Sequence, residues 1–114
     1  MATDPRDLLP LKPLVFQVLL ALSHEERHGW SLVREAQEHL GERILPANFY
    51  RTLRTMLADG LIVETNRRKA TGDDDERRRY FKLTTLGQDA ARLEARRLHE
   101  LVSDARTRRL LSTK

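Results

Sequence analysis

The sequence contains no cysteine, so a disulfide framework and a thiolate metal site are both excluded. Its five glycines are scattered along the chain and form no phosphate-binding loop. The longest apolar run, Val18 to Leu22, is far shorter than the ~20 residues that a membrane span needs. The first residues lack a basic stretch followed by an apolar one, so no export signal is visible. We therefore expect a cytoplasmic protein with no membrane association.

Residues suited to catalysis are present, but they lack the grouping that catalysis requires. The serines have no recognisable base or orienting partner in their sequence context. His24 and His28 are four residues apart, yet a break in the helical pattern separates them, and no carboxylate pair completes a metal site. The sequence therefore predicts no enzyme activity, no metal site and no cofactor.

The sequence is rich in charged residues. Charged residues make up 33% of the 114 residues, and 21 Lys and Arg outnumber 17 Asp and Glu, which leaves a net charge of +4. A hydrophobic fraction of 39% is ordinary for one small domain with a modest core. The excess of positive charge favours a polyanionic partner.

Three helices are predicted in the first half of the chain. Residues 1–10, which contain two prolines, are interpreted as a loose N-terminal arm. Residues 11–23 are apolar on nearly every side, which predicts a buried first helix. Residues 30–40 and 46–59 carry apolar residues at helical spacing, and a glycine follows each segment, so we expect two amphipathic helices.

The second half predicts a hairpin and one long helix. Alternating runs at 61–67 and 77–83 flank a turn rich in Gly and Asp, and Phe81 and Leu83 are expected to face inward. A capping box beginning at Thr85 opens a helix that extends to about Leu111. The predicted fold class is mainly α with a small β-hairpin: a winged helix-turn-helix followed by one long C-terminal helix.

The third helix has the composition of a helix that reads DNA. Its apolar stripe backs a polar face, which consists of Asn48, Arg51, Arg54 and Thr55. The major groove of B-DNA is about 12 Å wide and admits one such helix. We expect Asn48 to read a base edge and Arg51 to pair with guanine or a phosphate. Arg54 and Thr55 are expected to meet the DNA backbone.

Two basic clusters border the predicted hairpin turn. The first strand closes with a basic cluster at Arg67, Arg68 and Lys69, and the second opens with one at Arg77, Arg78 and Arg79. Antiparallel pairing brings both clusters to one end of the ribbon, where DNA phosphate would relieve their mutual repulsion. The alternative interpretation is a solvated surface laced with local ion pairs.

The last helix is longer than its own domain needs. A helix of roughly 25 residues is about 37 Å long at ~1.5 Å per residue, so its distal apolar side chains would lack cover in one chain. This favours a homodimer whose contacts are made by Leu93, Leu98, Leu101, Val102 and Ala105. The alternative is that this stripe folds back on its own wing. We expect an arm at 1–10, a DNA-binding domain at 11–83 and a dimerisation helix at 84–114.

Four separated motifs make the chain resemble the PadR family of transcriptional regulators. His-Gly-Trp at 28–30 is similar to the family's His-Gly-Tyr, and Phe-Tyr-Arg-Thr-Leu at 49–53 to its Leu-Tyr-x-x-Leu. Asp-Gly-Leu-Ile at 59–62 and Arg-Arg-Tyr-Phe-Lys-Leu-Thr at 78–84 resemble the family's residues on either side of the wing. The recognition helix of the family opens with Ser-Pro-Gly-Thr, whereas Leu-Pro-Ala-Asn stands at 45–48 here. Leu45 cannot cap a helix through its side chain, so Asn48 either caps a later start of the helix or faces the DNA.

The resemblance implies a regulator, usually a repressor, that binds a palindromic operator in double-stranded DNA as a homodimer of the short form with a single C-terminal helix. It implies a position for Tyr50 near a phosphate. It remains open whether a small-molecule effector of unknown identity binds the dimer and shifts the distance between its two DNA-binding domains. The alternative function is a winged-helix module for protein–protein interaction, without specific DNA binding.

Overall fold

The computed structural model of the chain describes residues 3–41, 43–65 and 79–112. Its helices are a 3₁₀ turn at Pro5–Leu8 followed by α1 at Pro13–Ala21, α2 at Gly29–Leu40, α3 at Pro46–Ala58 and α4 at Thr85–Thr107. Its strands are β1 at Arg27–His28, β2 at Ile62–Glu64 and β3 at Tyr80–Leu83. The fold consists of three helices, a small sheet and one long C-terminal helix, which confirms the predicted winged helix-turn-helix class.

The sheet has one strand more than the predicted hairpin. Its order is β1-β3-β2, and both pairings are antiparallel. Phe81 is fully buried and Leu83 is half-buried, as predicted for the inward side of β3. The additional strand, β1, pairs Arg27 with Phe81 and His28 with Tyr80. Two residues are too few to give an alternating pattern, so the sequence gives no local signal for β1. This strand forms through its long-range pairing with β3.

The N-terminal arm is not loose over its described residues. Asp4 caps the 3₁₀ turn by accepting the Arg6 N–H, and this turn lies against α4. Leu8 and Leu11 pack against the core. The Leu11 backbone N–H donates to the buried carboxylate of Glu94 on α4 at 2.7 Å. The expectation of a loose arm is therefore corrected.

The core lies where α1, α2 and α3 meet the sheet and the first turns of α4. Its buried apolar residues are Val18, Leu19, Leu22, Leu32, Val33, Ala36, Phe49, Tyr50, Leu53, Met56, Leu61, Ile62, Phe81 and Ala90. The composition of α1 predicts a helix that is buried on nearly every side. The structure differs from this prediction, because Leu20 remains 44% exposed.

Helix α4 begins and ends slightly differently from the prediction. The N-cap is Thr84, not Thr85: its hydroxyl accepts the Gly87 N–H at 3.0 Å and lies within hydrogen-bond distance of the Leu61 carbonyl. Thr84 takes this position because its hydroxyl reaches the residues before β2, whereas Thr85 is exposed. The helix ends at Thr107, short of Leu111.

Within the described ranges, the structure contains no helix long and apolar enough to cross a membrane.

Candidate nucleic-acid interface

Helix α3 is held by its apolar face, and this leaves the opposite face in solvent. Pro46 occupies the first turn, where its missing N–H costs nothing, and Asp59 and Gly60 end the helix, with Gly60 at φ 80°. Phe49, Leu53 and Met56 are at most 2% exposed. The orientation of α3 about its axis is therefore determined by the core.

The polar residues predicted to contact DNA all lie on the exposed side of α3. Asn48, Arg51, Arg54 and Thr55 are each exposed. At about 100° per residue, they fall within an arc of roughly 120° centred near Arg51. The Thr55 hydroxyl donates to the Arg51 carbonyl at 3.1 Å, which keeps that side chain close to the helix. The structure thus brings these four side chains together on one surface.

Tyr50 lies away from this surface. It is 8% exposed, and its ring meets Phe49 edge to face with a centroid distance of 5.7 Å. Tyr50, Leu53 and Leu57 are spaced by three and four residues, which is the spacing of one helix face. That spacing could have identified Tyr50 as a core residue; its predicted place beside a phosphate is not favoured by this burial.

The base of the wing is held by a cross-strand ion pair that the sequence did not single out. The Arg79 guanidinium donates to Glu64 on the neighbouring strand, and both side chains are about three-quarters buried. The guanidinium carbon of Arg79 also lies 5.9 Å from the centre of the Phe81 ring. The pair therefore links β2 to the residue that precedes β3. The predicted contact residues Arg67, Arg68, Lys69, Arg77 and Arg78 lie outside the described residues.

The junction of β1 and α2 connects the helices to the sheet. His28 caps α2 because its Nδ1 accepts the Ser31 N–H at 3.1 Å, and its imidazole meets the Tyr80 ring edge-on at 5.4 Å. The adjacent Arg27 pairs with Glu35 on α2. His28, considered at the sequence level as half of a metal pair, has a structural role here, and the described residues contain no group of three or more metal-ligating side chains.

The distal half of α4 has no cover within the described chain. Leu93, Leu98 and Ala105 are half-buried, whereas Leu101 is 53% and Val102 37% exposed. No residue described after Glu94 is buried. Of the five residues predicted for dimerisation, Leu98, Leu101, Val102 and Ala105 therefore share one partly exposed side of the helix.

Glu94 is a buried acid that sequence reasoning overlooked. It is 1% exposed and accepts hydrogen bonds from the Arg97 guanidinium and the Leu11 backbone N–H. The Arg97 hydrogen bond, more than the one from Leu11, holds the pKa of this carboxyl below its usual value against the opposing effect of burial. Its i,i+3 spacing from Arg97 was a weak signal, but no local pattern indicates the Leu11 contact.

Comparison with known proteins agrees with this architecture. The profile of the Transcriptional regulator PadR-like family matches residues 18–93. Transcriptional regulator Rv3488 of Mycobacterium tuberculosis is 33% identical over 87 residues, which cover 76% of this chain and 77% of that protein.

Two solved structures are similar in fold. RosR of H. salinarum superimposes with a TM-score of 0.62 at 23% identity, covering 89% of this chain and 98% of that one. A mutant of ZitR from Lactococcus lactis gives a TM-score of 0.65 at 18% identity, covering 99% of this chain and 70% of that one. At these identities the two structures bear on the fold alone.

Proposed function

Because the chain belongs to the PadR-like family of transcriptional regulators, and is thus a regulator rather than an enzyme, we propose that it binds palindromic operator DNA as a homodimer and represses transcription. The observation that carries the proposal is the face of α3. Four polar side chains share the exposed side of a helix whose other side is locked into the core.

In this proposal α3 enters the major groove. It has 13 residues and is therefore about 20 Å long, enough to follow the groove across several base pairs. Asn48 and Arg51 reach base edges, while Arg54 and Thr55 contact phosphates and position the helix. Arg51 is suited to this role because the described residues offer it no acidic partner, so its charge is available to an anion.

The wing supplies a second contact. Arg67, Arg68, Lys69, Arg77 and Arg78 would meet the backbone or the minor groove beside the recognition helix. Support comes from the register of the described hairpin: Ile62 faces Leu83 and Glu64 faces Phe81. Antiparallel pairing in this register would bring the basic clusters on either side of the turn together.

The homodimer is inferred from α4. Its 23 residues span about 35 Å, and the apolar stripe from Leu98 onward projects beyond the core. Pairing two such stripes removes apolar surface from water. A two-fold dimer presents two recognition helices to half-sites about 34 Å apart, which is why the operator should be palindromic. An effector that shifted this separation would change operator affinity.

The test is binding of the full chain to operator fragments recovered by genomic footprinting, followed by fluorescence anisotropy at several salt concentrations. Wild-type affinity should fall steeply with salt, by roughly one log unit per log salt for each phosphate contact. Arg51→Ala should weaken binding about tenfold or more. Glu38→Ala, on the exposed side of α2, is the matched control and should bind as the wild type does.

An affinity that does not depend on salt and is unchanged in Arg51→Ala would reject the proposal. Recovery of proteins with no DNA sequence enriched would favour the protein-interaction alternative. Repression itself is tested by a reporter placed behind the recovered operator, whose output should rise when the protein is removed.

A further inference from the structure

The exposed start of α3 carries apolar side chains that the core does not use. Leu45 is 59% exposed, and Pro46 and Ala47 are also exposed. Leu45 stands at the N-cap position, but it has no side-chain hydrogen bond with which to cap the helix. This segment is where the sequence departs from the Ser-Pro-Gly-Thr of the family. The departure therefore places methyl groups where relatives have a hydroxyl and a glycine.

Asn48, the next residue, carries a side-chain amide that forms no hydrogen bond with its own helix. Asn48 is exposed, and the described residues make no hydrogen bond to its side chain; only its backbone carbonyl is engaged, by the Thr52 hydroxyl at 3.0 Å. Because Leu45 is the N-cap, Asn48 is not required for capping. Its carbonyl oxygen and amide nitrogen are both available to a ligand.

Ala47, Asn48 and Arg51 point in related directions. At about 100° per residue, Ala47 and Asn48 lie on either side of Arg51 on the exposed arc. Arg51 is three residues after Asn48, a rise of about 4.5 Å, which corresponds to one or two base pairs. The methyl of Ala47 and the amide of Asn48 can therefore meet adjacent base edges in the same groove.

We propose that Ala47 and Asn48 determine base specificity by reading an adjacent thymine and adenine in each half-site. The chemistry of the major groove assigns the bases: a carboxamide pairs with adenine N6 and N7, and a small apolar side chain contacts the C5-methyl of thymine. Guanine offers two acceptors and no donor at these positions, so the Asn48 amide cannot satisfy both of its groups there. This inference rests on the proposed DNA binding and adds the identity of the bases.

The experiment is selection of bound sequences from a random duplex library by the wild-type chain, Asn48→Ala, Ala47→Gly and Arg54→Ala. The wild type should enrich half-sites with one invariant adenine beside a thymine. Asn48→Ala should lose the preference at the adenine alone, and Ala47→Gly the preference at the thymine. Arg54→Ala is the control: its affinity should fall while its selected sequence stays that of the wild type, because it contacts the backbone.

A second measurement uses the wild-type protein with modified DNA and so does not depend on the folding of a variant. Replacing the adenine by 7-deazaadenine removes one acceptor, and replacing the thymine by uracil removes only the methyl group. Each should weaken binding several-fold, whereas uracil in the spacer between half-sites should have no effect.

The outcomes separate the two proposals. If the wild type enriches no sequence, DNA recognition itself fails and this inference falls with it. If a palindrome is enriched but Asn48→Ala selects the same bases, or if the modified bases bind unchanged, the base assignment is overturned and the proposed function stands.

Discussion

Replacement of Gly87 by alanine should destabilise the protein, although the same change in a solvent-exposed helix would stabilise it. Gly87 lies in the first turn of α4, and helix propensity alone favours alanine there by about 1 kcal/mol. However, a methyl group at this position would lie 2.0 Å from the carbonyl oxygen and 3.0 Å from the carbonyl carbon of Leu61. The obstacle is backbone, so no side-chain rotation can relieve it.

The loss in free energy of unfolding depends on how far α4 must move to make room for the added methyl group. Helix α4 would have to retreat by more than about an ångström, which would break the hydrogen bond from the Thr84 N–H to the Leu61 carbonyl at 3.1 Å. Overpacking typically costs about 1–3 kcal/mol, and a clash with rigid backbone belongs at the upper end. The gain in helix propensity offsets about 1 kcal/mol of this cost, so we expect a net loss of about 2 kcal/mol. For a domain of this size, that corresponds to a fall in Tm of roughly 8 °C.

The assay is thermal unfolding of the wild type and Gly87→Ala, followed by circular dichroism at one fixed protein concentration, since association would make Tm depend on concentration. Gly41→Ala is the control for backbone strain: its φ is 69°, but nothing lies within 4 Å of the added methyl. It should lose about 1 kcal/mol from the left-handed conformation alone. A Gly87→Ala variant as stable as the wild type would refute the close approach of α4 to Leu61.

Two further predictions concern α4. Glu94→Gln should lower the free energy of unfolding at pH 7 by about 2 kcal/mol, because it weakens charge-assisted hydrogen bonds, including that from Leu11. The folded-state pKa of Glu94 is lowered, so the stability that its carboxylate contributes is present above the unfolded-state pKa and is lost as pH falls through the folded-state pKa. Denaturant titrations should therefore give the two proteins similar free energies of unfolding at acid pH. A difference in free energy of unfolding that does not change with pH would contradict this. Leu101→Asp should give monomers in sedimentation velocity, whereas His99→Asp, which adds the same charge to an exposed neighbour, should remain dimeric; a dimeric Leu101→Asp would reject the interface.

The nature and approximate positions of the main helices could be predicted because their signals are local. The period of apolar residues in α3, with Pro46 at its start and Gly60 after its end, is enough to assign Asn48 and Arg51 to the outer face of the helix. The same reasoning located the strands at Ile62 and Phe81, since alternation is also a local property. These features were confirmed.

Other features depended on contacts between distant parts of the chain. Strand β1 exists only because β3 pairs with it, and Thr84 is the cap of α4 because its hydroxyl also reaches Leu61. Glu94 is buried against Leu11, 83 residues away in sequence, and no pattern within one helix specifies that contact.

What the sequence determined by itself was therefore the four main helices, the two strands of the hairpin and the outer face of α3, because helix and strand periodicities are properties of neighbouring residues. Only the tertiary structure decided which distant groups come into contact: β1 pairs with β3, Gly87 lies against Leu61, and Glu94 joins the N-terminal segment to α4. The physical reason is that burial and steric contact arise from the packing of elements that are far apart in the chain.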